Sequence, residues 1–568
     1  MRPETAETNE RRQGQEMSGA KFKPSDLVDF LIIGAGSAGG VMAKELATSG
    51  FRVVVLEQGP YLTEKDYRHD EIRYTYLPGL TNDPKVQPIT YRKSEAEQAK
   101  QLKAIQYGRQ VGGGSVHFTA NYWRFHESDF HERSLFGDVA GADLADWPIQ
   151  YADLEPYYTK AEYDLGISGL GGANPFEGPR SKPYPLPPMP VKSSGVLFER
   201  GAKKLGLHPY PAPMAILSQP YGGRAACAHC GFCEFFGCEM RAKSSTLVSV
   251  IPVAEKTGRC EIRPNSYVRK IETDTRGRVT GAVYFEAPGK EVFQRAKAVV
   301  LCSNGVETAR LLLLSKSKRF PQGLANSSGL VGRHLMWDMG GEAMGLFEHP
   351  LNEYKSIQVT RVVHDYYAAD PKRGFYGGAG IDARFDYYPA NFALHALPPD
   401  APKWGAEYKN MLSEYFTHTM TVLAHTSSLP QMRNSISLDP DVKDHWGLPA
   451  TRVTFDLHPD DIATLKWSLG KQYEILDAAG AKKMWTTGIA FEDMLPSNHL
   501  MGTCRMGNDP AKSVVDRNNR AHDVPNLLIV DGSSFVTSAR QQPTATIQAL
   551  AYRAADLAIQ AAKRGELA

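Results

Sequence analysis

The chain has 568 residues, with 65 Lys and Arg against 63 Asp and Glu and a formal charge of +2. That length implies two packed domains rather than one core, and the near-balance of charge gives no bulk electrostatic reason for a nucleic-acid or anionic-membrane partner. No apolar run approaches the roughly 20 residues that cross a bilayer, so no membrane span is expected and the natural partner is a small molecule.

Met1–Pro24 is polar and mixed in charge, and Arg11-Arg12 is followed by Gln-Gly-Gln-Glu rather than an apolar segment. It reads as a disordered leader, not a signal peptide. Folding in the cytoplasm is expected, with export alongside a signal-bearing partner left open. Asp29–Ala47 then runs as an apolar strand, a Gly34-Ala-Gly-Ser-Ala-Gly39 turn and a helix with small residues near the turn, and Arg52–Glu57 adds a second buried strand. This is a βαβ unit. Its near-continuous apolar strands predict a parallel sheet covered on both faces.

Downstream, Ala296–Cys302 is a further buried strand, followed by a turn and the helical Leu311–Leu314. Asn526–Asp531 repeats the strand pattern, and Thr546–Ala562 is an amphipathic helix. The nucleotide-binding layer is therefore expected from discontinuous segments, 25–139, 244–334 and 497–568. Two inserts, 140–243 and 335–496, are rich in aromatics, proline and alternating patterns such as Asn434–Leu438 and Thr451–Leu457. They are expected to build the substrate domain.

In the first turn, Gly34 and Gly36 permit a tight bend and close approach of backbone to a pyrophosphate, Ser37 opens the helix, and Gly39 lets that helix pack on the strand. The helix N-terminus faces the phosphate charge. Glu57 ends the second strand eighteen residues after Gly39, where a carboxylate can accept hydrogen bonds from an adenosine ribose. These features bind a dinucleotide without separating FAD from NAD.

That turn, the stretch Gly108-Arg-Gln-Val-Gly-Gly-Gly-Ser115 followed by Asn121, and the C-terminal His499-Leu-Met-Gly-Thr-Cys-Arg-Met-Gly507 with Val530-Asp-Gly-Ser533 together resemble the glucose-methanol-choline (GMC) oxidoreductases. The resemblance covers about a third of the chain and implies FAD. It also implies an α/β fold, with a Rossmann-like FAD-binding domain and a second, sheet-containing substrate domain. It places the Gly112, Gly113 and Gly114 run beside the isoalloxazine, with Arg109, Ser115, Asp531 and Gly532 on the same cofactor. The string around His117 is similar to the pyranose oxidases of this family, in which the matching His carries a covalent flavin bond; a His packed beside the flavin without a bond is the alternative. His499 matches the catalytic base, and imidazole has a suitable intrinsic pKa for taking a hydroxyl proton. Where the family has Asn or His before a proline, this chain has Gln542-Pro543, whose amide still donates and accepts.

The remaining constellation is Cys227, Cys230, Cys233 and Cys238, four of the seven cysteines within twelve residues. Its spacing approaches that of ferredoxins, although no proline follows Cys238. Three readings stand: an iron–sulfur cluster relaying electrons from flavin, a tetrahedral zinc site, and buried reduced thiols. Among the GMC oxidoreductases the chain most resembles the large subunits of bacterial sugar dehydrogenases, especially glucoside 3-dehydrogenases, which implies oxidation of a secondary hydroxyl to a keto group. Electrons would pass to a cytochrome c, quinone or dye, with a small subunit as a further partner. An oxygen-reducing pyranose or alcohol oxidase and a non-catalytic flavin electron-transfer subunit are the alternatives.

Overall fold

The structure is a computed structural model that describes residues 21–102, 105–487 and 490–567. It has an α/β architecture. Strand β1 (Val28–Ile33) is almost wholly apolar because its sheet is covered on both faces, and Val28, Phe30, Leu31 and Ile32 are at most 1% exposed. The glycine turn leads into helix α1 (Ser37–Thr48). β2 (Val53–Leu56) lies parallel to β1, pairing Phe30 with Val53 and Ile33 with Leu56. Far downstream in sequence, β3 (Cys260–Arg263) joins β2 in parallel and forms the edge.

An antiparallel meander follows, β4 (Tyr267–Thr273), β5 (Val279–Ala287) and β6 (Lys290–Leu301). β6 serves two roles. Its first half pairs with β5, and its apolar second half, Ala296–Leu301, runs parallel to β1. After helix α2 (Glu307–Leu314), strand β7 (Leu527–Ile529) completes the parallel order β3-β2-β1-β6-β7, and helix α3 (Thr544–Lys563) packs on α1. The carboxyl ends of these strands lead into Gly34, Glu57, Cys302 and Val530-Asp531 along one edge, the place where open parallel sheets bind ligands.

Of the leader expected over Met1–Pro24, residues 1–20 lie outside the described residues. Lys21–Pro24 runs beside the parallel sheet, with the Phe22 N–H on Glu261 at 2.9 Å and the Pro24 carbonyl accepting from Arg295 at 3.3 Å.

Both inserts contribute to a six-stranded antiparallel sheet, in the order 483–485, 339–346, 419–426, 379–384, 361–363, 210–211. Side chains alternate along each strand. Met420, Val422 and Ala424, with Ile381 and Ala383, pack under the helices Ser193–Lys204 and Pro459–Ala479. Leu423 and His425, with Arg384, take the opposite face and line a cavity. A two-stranded ladder pairs Met336 with Met501 and Trp337 with Leu500, which sets Asp338 across from His499. A third sheet, of four strands, joins Ile89–Arg92 and Lys100–Leu102 to Ser435–Lys443 and Pro449–Thr454. Among the described residues no helix is long and apolar enough to cross a membrane.

Candidate active site

One cavity of about 490 Å³ runs from the carboxyl edge of the parallel sheet to the polar face of the six-stranded sheet. Gly34, Gly36, Ser37, Glu57, Gly113, Ser115, His117, Asp531, Gly532, His499 and Gln542 all line it. Gly39, Arg109 and Gly112 stand behind that lining.

At the dinucleotide end, Gly34 has φ +95°, and a Cβ there would lie 2.5 Å from the Cys302 carbonyl oxygen. A Cβ on Gly39 would lie 1.9 Å from the Gly34 carbonyl oxygen, so α1 approaches the turn as closely as backbone permits. Glu57 sits beneath this turn, 5% exposed. Its two oxygens accept from the backbone N–H of Ala35 at 3.0 Å and of Gly59 at 2.9 Å. Burial pushes its carboxyl up to about 7, against the pull of those two donors. The unpaired N–H groups opening α1 supply the positive end of a helix dipole, equivalent to about half a charge.

Gly112 donates to the Ala35 carbonyl at 2.9 Å, which presses the Gly112–Gly114 loop onto the first turn. A Cβ on Gly113 would stand 2.7 Å from the Gly36 Cα. The two glycines leave bare backbone where a pyrophosphate and a flat ring require close approach, so these residues fit FAD. Asp531 is held by Ser533 N–H at 2.8 Å, Thr308 Oγ1 at 2.5 Å and Asn304 N–H at 3.1 Å. The Gly502, Cys504 and Met506 N–H groups donate to the carbonyls of Gly532, Ser533 and Ser534, laying the two C-terminal motifs side by side.

His499 lies where these motifs meet the second sheet, in the left-handed region at φ +49°. Its Nδ1 is 3.0 Å from Asp338 Oδ2. Burial alone would raise the Asp338 pKa, but His425 and His499 hold it below the ordinary carboxylate value. His425 Nδ1 is 3.5 Å from the same oxygen, and its Nε2 is 3.0 Å from Asp382 Oδ2. Burial would lower the His425 pKa, yet Asp338 and Asp382 raise it. Arg384 completes the line with two hydrogen bonds to Asp382, at 2.7 and 2.6 Å. Gln542 Nε2 is 2.8 Å from His425 Nε2, and its Oε1 is buried without a partner.

Asp338, His425, Arg384, Asp386 and Glu234 were not anticipated from the sequence. The available signal was a charged side chain inside an otherwise apolar strand, as at His425 in Thr421-Val-Leu-Ala-His-Thr426.

His117 lines the cavity with Nδ1 3.3 Å from Gln110 Nε2. Gln110 Oε1 accepts from Arg109 N–H and its Nε2 donates to the Gly113 carbonyl, which fixes the amide. Nδ1 of His117 is therefore an acceptor. Burial and the nearby Lys243 ammonium depress the imidazole pKa to about 3, so the ring is neutral.

The cysteine loop corrects an expectation. Cys230 is exposed, Cys233 buried, and Cys227 and Cys238 half-buried. Among the described residues no three His, Cys, Asp or Glu side chains stand together as metal ligands. The expected set of Cys227, Cys230, Cys233 and Cys238 is therefore not supported as the ligands of an iron–sulfur cluster or of zinc. The cation that organises this loop is the Lys243 ammonium, which is 3% exposed and donates to the carbonyls of Phe118 at 3.1 Å, Phe236 at 2.8 Å and Cys233. An ammonium takes oxygen acceptors, so the backbone carbonyls of the loop are turned towards it.

The architecture and site define a flavin-dependent oxidoreductase. The family description "GMC oxidoreductase" matches residues 28–337 for its N-terminal part and 430–551 for its C-terminal part. The chain is 34% identical to 2-methyl-1,2-propanediol dehydrogenase of Mycolicibacterium austroafricanum, covering 94% of this chain and 95% of that one. It is 30% identical to the fructose dehydrogenase large subunit of Gluconobacter japonicus, covering 94% and 98%. Among solved structures, a point variant of formate oxidase of Aspergillus oryzae RIB40 superposes with a TM-score of 0.63 at 16% identity, covering 96% of this chain and 100% of that one. The chain belongs to the GMC oxidoreductase family, and it is an FAD-dependent enzyme acting on CH–OH donors.

Proposed function

We propose that the protein is a dehydrogenase that oxidises a secondary hydroxyl of a sugar or glycoside to a keto group, in the manner of a glucoside 3-dehydrogenase. The observation that carries this reading is the His499–Asp338 pair at the polar end of the cavity. An ionised carboxylate only accepts, so Nδ1 of His499 carries a hydrogen and Nε2 is left as the base for the substrate hydroxyl. Asp338 also balances the imidazolium that forms. Gln542 lies beside His425 with a free carbonyl oxygen and would orient the substrate oxygen. FAD, when bound, supplies the two-electron acceptor for the carbon-bound hydrogen.

Glu234, Arg384 and Asp386 line the same end of the cavity, a polar surface suited to further hydroxyl groups rather than to a plain alkyl chain. The names of the dehydrogenase relatives support a dehydrogenase, and the large-subunit relative supports a small subunit; electrons would then pass to a cytochrome c, quinone or dye. His117 lies beside the flavin site either as the point of a covalent flavin bond, which requires its Nδ1 lone pair to leave Gln110 or the tautomer to change, or packed there without a bond. Protein precipitated with acid that lost all its yellow colour would exclude that bond.

The test is flavin bleaching by a panel of sugars, glycosides and small diols in the wild type and in His499→Ala. The variant is expected to lose about 10²- to 10⁴-fold in bleaching rate; a normal rate means that His499 is not the base. Hydrogen peroxide released in step with substrate consumed, with no dye reduction, would make the enzyme an oxidase.

A further inference from the structure

We infer that the cysteine-rich loop Cys227–Cys238 is the specificity wall of the active site: its Glu234, with Asp386 and Arg384, forms a subsite for the hydroxyl groups of a neutral polyhydroxylated substrate. This rests on the proposed carbinol oxidation and adds what selects the substrate.

Several costly features of the loop converge on the same two residues. The buried Lys243 ammonium binds the carbonyls of Cys233 and Phe236, which bracket Glu234 and Phe235. The Phe235 N–H donates to the His117 carbonyl at 2.7 Å, and Tyr388 donates to the Glu234 carbonyl at 2.8 Å. Phe235 is held at φ +66°, a region that a side chain of this size rarely adopts. Phe232 stacks between His69 and Tyr388, at 4.1 and 5.5 Å between ring centres. Strain of this kind persists only where the surroundings over-determine it, and its result is that Glu234 and Phe235 line the cavity.

Three polar atoms there lack partners among the described residues. Glu234 Oε2, Gln542 Oε1 and Asp338 Oδ1 are buried with none, and the Gln542 and Asp338 residues are only 4% and 3% exposed. Arg384 spends Nε and one terminal nitrogen on Asp382, and its other terminal nitrogen is 3.6 Å from Asp386 Oδ2, beyond hydrogen-bond distance. Buried polar groups are normally satisfied, so this set is built for a ligand. Burial, with Asp386 alongside, pushes the Glu234 carboxyl well above its usual range. Acceptors outnumber donors. A hydroxyl serves both, whereas a carboxylate or phosphate brings only further acceptors and negative charge.

The experiment uses flavin-loaded full-length enzyme and compares kcat/KM for 1,2-propanediol with that for 1-propanol, and for a methyl glucoside with that for its uronic acid. For Glu234→Gln and Asp386→Asn the diol-to-alkanol ratio is expected to fall about tenfold, the worth of a hydrogen bond to a charged group. The wild type is expected to disfavour the uronic acid by a similar factor and the variants to relax that preference. An unchanged diol-to-alkanol ratio in both flavin-loaded variants, or equal turnover of glucoside and uronic acid, overturns the subsite. A wild type that turns over the diol but neither pyranoside refutes the sugar reading alone, because the diol comparison still decides the subsite.

Discussion

Asp338 Oδ2 lies 3.0 Å from His499 Nδ1 and 3.5 Å from His425 Nδ1, so one buried carboxylate holds two imidazoles that line the same cavity. The carboxylate fixes the tautomer of the base. Asp338→Asn removes the charge and can offer a donor to Nδ1, which moves the ring hydrogen to Nε2 and blocks the base. The expected result is a fall in flavin-bleaching rate of about 10²-fold or more at saturating substrate, with flavin content retained. A variant within threefold of wild type would remove Asp338 from its positioning role.

This pair also marks how far the residues could be read in advance. The glycine turn and Glu57 are recognisable from the βαβ pattern around them, the Gly112–Gly114 run and His499 from motifs that resemble those of the family, and the apolar strands β1, β2 and β7 announce themselves by composition. Asp338 and His425 become partners only through strand pairing: the ladder of Met336–Trp337 with Leu500–Met501 brings Asp338 to His499, and Gly340 pairs with His425 one strand over. Such registers join residues far apart in the chain and depend on which face of each strand is buried. The cysteine spacing did not choose among its three readings for the opposite reason. It is a local pattern, but the geometry of the loop is set by Lys243, which lies outside the pattern.

Gly113→Ala tests the cofactor cradle. The added methyl would meet the Gly36 Cα at 2.7 Å, and the residue has φ +53°, so neither backbone can yield without separating the two glycine loops. Loss of the flavin absorbance from otherwise folded protein is expected, measured as the ratio of visible to ultraviolet absorption. Full flavin occupancy would show that the loops do not close on the cofactor in this way.

Acid stability provides a test away from the chemistry. His126 Nε2 is 2.9 Å from His364 Nδ1. Burial, then Arg540, depresses His126 to about 3, while burial and the two neighbouring histidines hold His364 well below its ordinary value. Both are neutral in the fold and take up protons only on unfolding as pH drops below about 6.5. Their contribution to stability is complete above that value and is lost as pH falls from there towards 3, by at most about 1.4 kcal/mol per pH unit for each ring. Buried acids with raised pKa values, such as Glu57, act with the opposite sign, so the informative quantity is a difference. Chemical denaturation of wild type and His126→Gln between pH 7.5 and 5 should show a shallower acid loss in the variant; parallel curves would mean that His126 is not held neutral.

The cysteine loop yields the last prediction. Because Lys243 organises it through carbonyl oxygens, anaerobically purified protein should contain iron and acid-labile sulfide near zero and show the visible spectrum of flavin alone. Stoichiometric iron and sulfide would restore the four cysteines as ligands. Replacing the ammonium is the complementary measurement. Lys243→Met keeps much of the side-chain volume but leaves the carbonyls of Phe118, Cys233 and Phe236 unpaired in the interior, at about 1–3 kcal/mol for each group left unsatisfied. A clear drop in Tm, together with a loss of discrimination between 1,2-propanediol and 1-propanol, is expected because Glu234 and Phe235 would no longer be held against His117. Unchanged Tm and unchanged discrimination would show that the loop keeps its shape without the ammonium.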